Sequence, residues 1–167
     1  MHQASQSRTR RGFTLVESLL AATLLAATVA AISMPFTAAA RNQQVDARRT
    51  VATSLANDLV EEIISRPFDD PDGSSSPGPE TGESGRSAFD NIDDYDGYSE
   101  AAGEIVDDQG LSISDPAAFD LARRASVTYV YVTGQDTGEW PNFVRIDVVI
   151  LRKGLPLVTA TRLVYGM

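Results

Sequence analysis

A chain of 167 residues, 43% of them hydrophobic, is long enough for one modest domain plus an appended segment and too short for several domains. Its formal net charge of −9, from 23 acidic against 14 basic side chains, argues against the clustered Lys/Arg surface that nucleic-acid binding needs. With no cysteine and a single histidine, His2, it excludes disulfides, thiolate metal sites and cysteine catalysis, and confines histidine chemistry to the extreme N-terminus.

The first element is basic and then apolar. Arg8, Arg10 and Arg11 precede Gly12 and Phe13, and the 28 residues from Phe13 to Ala40 carry one ionisable group, Glu17. About 20 apolar residues cross a bilayer, so this run is long enough to span one. A charge such as Glu17 costs about 2.5–3.5 kcal/mol at the centre of a spanning helix and less near an interface, so a use for it is expected. The three arginines, with no acidic neighbours, favour a cytoplasmic N-terminus and place the C-terminal part outside. Ala21, Ala22, Ala26, Ala27, Ala30 and Ala31 would let helices approach closely, although alanine suits any spanning helix. Pro35 removes a helical hydrogen bond, which predicts a kink or a melted turn near Ile32–Pro35.

The second element, residues 41–66, keeps the helical pattern but becomes amphipathic. Val51, Leu55, Leu59 and Ile63 recur every four residues, flanked by Ala52, Ala56, Val60 and Ile64, with Arg48, Arg49, Asn57, Asp58, Glu61 and Glu62 mostly off the stripe. Pro67 ends it, because the residue before a proline is pushed out of the α region. An unbroken helix from Phe13 to Ser65 would be about 80 Å long at 1.5 Å per residue, half of it bare and half packed on a head.

Residues 67–120 hold 15 acidic side chains and one basic, Arg86. Pro67–Gly85 is rich in turn formers and reads as a mobile loop. The following acidic segment reads as a loop docked on the head by Phe89, Ile92, Tyr95 and Tyr98. A calcium loop of the EF-hand kind is incomplete: Asp94 and Asp96 precede Gly97, but Ile92 takes the first ligand position and Glu104 falls one residue too far on. No metal site and no cofactor are therefore expected. Asp69/Asp70 and Asp93/Asp94 are paired carboxylates, read as solvated and so without the separated pKa values that acid–base work needs. With no nucleophile elbow, phosphate loop or HExxH motif, no catalytic residue is expected.

The last part, residues 121–167, switches to strand patterning over Ala125–Thr133, Phe143–Arg152 and Leu155–Tyr165. Val144, Ile146, Val148 and Ile150 mark the buried face of the second strand, and Lys153-Gly154 reads as a tight hairpin turn. A fourth strand is expected near Glu104–Ile113. Trp140 is expected to close one end of the core. The fold class is α+β: a long N-terminal helix, spanning and then amphipathic, packed on a small antiparallel sheet.

The run Gly12-Phe13-Thr14-Leu15-Val16-Glu17, set between arginines and an apolar helix, resembles the N-terminus of type IV pilins and type II secretion pseudopilins. The resemblance is specific over about 30 residues and architectural beyond them. It implies a leader of residues 1–12, cut after Gly12 by a prepilin peptidase that also methylates the new N-terminal Phe13. It implies an assembly role for Glu17, paired with the Phe13 amine of an adjoining subunit. Implied partners are that peptidase/methyltransferase, other pilin or pseudopilin subunits and the bacterial inner membrane, with the head in the periplasm until extraction into a pilus or pseudopilus. The acidic insert and the lack of cysteine are unlike a repetitive major pilin and point to a minor subunit. A second reading stays open. Ala38-Ala39-Ala40 offers a small-x-small cleavage site and Thr9–Phe13 resembles a twin-arginine signal, which would release a soluble periplasmic binding module beginning at Arg41.

Overall fold

The computed structural model describes residues 12–73 and 77–166. The chain divides into two units, Met1–Gln43 and Gln44–Met167, and one helix, α1 (Leu15–Ile64), contributes to both. Thr14 caps it, its Oγ1 accepting the Glu17 backbone N–H at 3.2 Å. At the other end the Ser65 N–H is shared between the Glu61 and Glu62 carbonyls and Arg66 N–H closes on Ile63, after which Pro67 prevents continuation. The melted turn expected near Ile32–Pro35 is absent: the helix is assigned without a break through Pro35. Only one backbone N–H is lost there, and the alanines on either side, Ala30, Ala31 and Ala38 to Ala40, are strong helix formers.

In the first unit, α1 carries large apolar side chains on every side between Leu19 and Phe36, and none of them joins the core among the described residues. Leu19, Leu24, Val29, Ile32 and Phe36 are all more than half exposed. A helix apolar on every side belongs in a core or a membrane, and here no core covers it. It is long and apolar enough to cross a membrane.

The second unit is an α+β head. Its sheet is antiparallel in the order β1 (Ser99–Glu100), β2 (Leu121–Val130), β3 (Phe143–Arg152), β4 (Leu155–Tyr165). β3 and β4 have the expected bounds, and the turn between them places both Lys153 (φ +52°) and Gly154 (φ +78°) in the left-handed region, as a two-residue hairpin requires. β2 starts four residues earlier than expected, because Leu121 and Arg123 are buried with Ala125 and Val127. The fourth strand is Ser99–Glu100 and not Glu104–Ile113, of which only the Val106–Ser112 bridge forms. The glycines and aspartates between 103 and 110 favour turns over a ladder.

One core joins the elements. Leu55, Leu59, Val60 and Ile63 of α1 share it with Leu121, Val127, Val144, Ile146, Val148 and Ile150 of the sheet. The helical stripe and the alternation along β3 are the two periodicities that make this possible. Phe89, Ile92 and Tyr95 enter the same core, so the acidic segment is docked as its aromatics suggest. Phe89, Tyr95 and Tyr98 meet edge to face, with ring centroids 4.9–6.1 Å apart. Trp140 does not close the core: it is 61% exposed, with its ring set edgewise 5.6 Å from Tyr129, and the neighbouring Pro141 is buried instead.

Candidate functional site

The residues singled out in the sequence meet at the start of α1. Gly12 and Phe13 precede the helix, both exposed, with Phe13 79% so. Thr14 is the cap and Glu17 lies in the first turn. Thr14-x-x-Glu17 is the spacing of a capping box, in which a first-turn carboxylate also complements the positive end of the helix dipole. Glu17 is exposed, so its carboxylate is directed at whatever surrounds the helix. The arginines at 8, 10 and 11 lie outside the described residues. No Cβ contact would meet a side chain added at Gly12, so its glycine is not required by this fold. Ala21, Ala22, Ala26, Ala27, Ala30 and Ala31 are all exposed on the bare part of α1.

A second constellation lies in the head, and sequence reasoning missed it. Arg123 on β2 is 1% exposed and Glu100 on β1 is 8% exposed. Arg123 grips Glu100 with two donors, Nε to Oε2 at 2.5 Å and Nη2 to Oε1 at 3.0 Å. Its remaining donors reach the carbonyls of Leu55 (3.1 Å) and Val106 (2.9 Å). Arg86 lies beside it, paired with Glu62 of α1 and donating to the same Val106 carbonyl at 3.0 Å. Arg86 Nη1 is 3.5 Å from Glu100, so Glu62, Arg86, Glu100 and Arg123 alternate in sign and sum to zero. Four segments distant in sequence are thereby tied together: α1, the acidic loop, β1 and β2. The Tyr95 hydroxyl donates to Glu62 at 2.8 Å.

Burial alone would raise the Glu62 carboxyl. The hydrogen bonds from Arg86 and Tyr95, with the charges of Arg86 and Arg123, outweigh it and hold the group below its ordinary value of 4.5. Burial and the bond to Glu62 push the Tyr95 hydroxyl up to about 12. A carboxyl depressed in the folded state contributes stability that is complete above the unfolded value and is lost as pH falls through the folded one. The denaturant midpoint should therefore drop on acidification below about pH 4.5, and Glu62→Gln should flatten that acid limb. A variant with the wild-type acid slope would exclude Glu62 as the group responsible. A cleft of about 640 Å³ opens beside the network, lined by Asp58, Glu61, Arg66, Asp107 and Asp108 among others.

Of the paired carboxylates, Asp93 and Asp94 are buried and not solvated as expected. Asp93 accepts from Tyr129 Oη (2.7 Å) and Gly78 N (3.2 Å), and Asp94 from the backbone N–H groups of Asp90 and Asn91. Asp69 is exposed and Asp70 part-buried, and Asp70 Oδ1 accepts the Asp72 N–H. These bonds make the carboxylates loop fasteners. The buried charges were hidden from sequence reasoning because polar spacing resembles a solvated face. The one available signal was the period-two position of Arg123 between Leu121 and Ala125. The constellation at the start of α1 and the head define an α+β protein with one candidate membrane span among the described residues. No protein-family model, curated protein or solved structure matches the chain.

Proposed function

We propose that the chain is a prepilin-like structural subunit, a minor pseudopilin of a type II secretion system or a minor type IV pilin, and not an enzyme. It is held in the bacterial inner membrane by α1 with the head in the periplasm, processed between Gly12 and Phe13, and assembled through its N-terminal helix. The observation that carries this reading is a bare apolar helix that opens on Gly12-Phe13 and Glu17 and runs on, uninterrupted, into the core of a head. An anchor that is also a packing element suits a subunit that passes from bilayer to filament, where neighbouring helices replace lipid around the same surface. The reading further requires cleavage to expose the Phe13 α-amine, which stays cationic after methylation and can neutralise the Glu17 of a neighbour. Continuous helix through Ala38–Arg41 supports it over cleavage after Ala40, which would cut within a regular turn.

Mass spectrometry of protein purified from its native membrane tests this directly. A chain beginning at N-methylated Phe13 is expected, whereas one beginning at Arg41 would replace the filament subunit with an exported binding module. Gly12→Val should leave only full-length precursor, since the fold itself tolerates a side chain there. A normally trimmed Gly12→Val protein would remove Gly12 from the processing site.

A further inference from the structure

The acidic loop contains a group of carboxylates that neither the helix motif nor the buried ion network uses. Glu80 and Glu83 belong to one turn, closed by Glu83 N–H to the Glu80 carbonyl (3.1 Å) and by Glu80 N–H to Glu83 Oε2 (2.8 Å). Asp94 reaches them from the short 3₁₀ turn Asp93–Tyr95. One carboxylate oxygen from each of the three lies within 4.8 Å of the others. Two oxygens on opposite sides of a calcium ion, each at about 2.4 Å, are separated by about 4.8 Å. Three like charges at this spacing repel unless a cation lies among them.

An independent observation points the same way. Asp94 is fully buried, and its Oδ2 accepts the N–H groups of Asp90 (2.8 Å) and Asn91 (3.1 Å). Its Oδ1 is buried and accepts no hydrogen bond. A carboxylate oxygen shut away from water with no partner is costly and rare, and a metal ion is one of the groups that satisfies it. Asp90 Oδ1 nearby is likewise buried without a partner. Among the described residues neither Glu83 nor Asp94 enters an ion pair.

We propose that Glu80, Glu83 and Asp94 bind a calcium ion that fastens residues 77–96 to the head. An all-oxygen, carboxylate-rich site selects a hard cation over zinc or copper. Calcium fits better than magnesium because it accepts irregular, variable coordination, whereas magnesium demands a near-ideal octahedron. The EF-hand pattern could not reveal such a site, since its ligands come from two turns and not from one 12-residue loop. The proposal is independent of the filament reading and concerns the head alone.

Full-length protein in detergent micelles, stripped with chelator, provides the test. Calcium at ten times its Kd should raise Tm by roughly 5 °C, and calorimetric titration should give one ion per chain. Asp94→Asn keeps an oxygen for the Asp90 and Asn91 N–H groups but replaces the orphan oxygen by an amide donor. It should melt no lower than the wild type without calcium and should lose the calcium response. Glu83→Gln, at a part-exposed position, should also lose it and serves if Asp94→Asn fails to fold. No change in the wild type up to about 10 mM calcium, well above the Kd range of extracellular calcium modules, would overturn the site. So would variants that respond like the wild type, and an equal response to magnesium would overturn its assignment to calcium.

Discussion

Arg123→Ala should lower the stability of the head by about 3–5 kcal/mol, the cost of removing one partner from a buried ion pair. Glu100 would remain 8% exposed with its bidentate donor gone, and the Leu55 and Val106 carbonyls would each lose an N–H. Urea unfolding of the full chain in detergent would register the loss as a lower midpoint at unchanged slope. Arg145→Ala is the matched control. Arg145 pairs with Asp147 at 2.9 Å but its side chain is 50% exposed, so its removal should cost no more than about 1 kcal/mol. Replacing Arg123 and Glu100 together by apolar residues of similar volume should recover most of the stability, because two desolvation costs disappear with the pair. A loss for Arg123→Ala no larger than that for Arg145→Ala would mean that the buried network stabilises nothing.

If the chain is the prepilin-like subunit proposed above, Glu17→Ala should leave cleavage after Gly12 largely intact and reduce incorporation into filaments by about thirty-fold or more. That factor corresponds to about 2 kcal/mol, the lower range for truncating one member of a desolvated charge pair. The structure offers a competing role for Glu17, as the first-turn residue of a capping box with Thr14. Glu17→Gln separates the two. Glutamine can complete a capping box but cannot neutralise an ammonium group, so it should fail in assembly as alanine does. Thr14→Ala removes the cap and keeps the charge, and it should assemble. Filament fractions probed for each variant would decide between them: assembly of Glu17→Gln at the wild-type level would sink the charge-pair role.

What could be read in advance follows the range of the interactions involved. The stripe Val51–Ile64, the alternation of Val144–Ile150 and the Lys153-Gly154 turn are set by neighbours within a few residues, and the elements formed where those patterns lay. The start of α1 was equally legible as the beginning of an apolar helix, which opens at Leu15 behind the Thr14 cap. The ion network was not. Glu62, Arg86, Glu100 and Arg123 belong to four separate segments, and apart from the period-two position of Arg123 nothing local shows that these charges will be buried together. Asp93 and Asp94 were misplaced for the same reason, because burial by Ile92 and Tyr95 is a tertiary event. At Pro35 the melted turn, one of the two outcomes the local rule allowed, yielded to the helix formers around it.

The order of the elements along the chain also sets a clock. Leu55, Leu59 and Ile63 are made early, yet the β3 side chains that share their core are made some 80–100 residues later. At synthesis rates of about 5–20 residues per second, the stripe lacks its sheet for roughly 4–20 s. Throughout that interval the nascent chain exposes an apolar helix face continuous with the bare apolar part of α1. The bilayer surface, or a chaperone that accepts amphipathic helices, is the natural temporary shelter for it. Once β3 and β4 emerge, the meander needs only neighbour-to-neighbour pairing to cover the stripe.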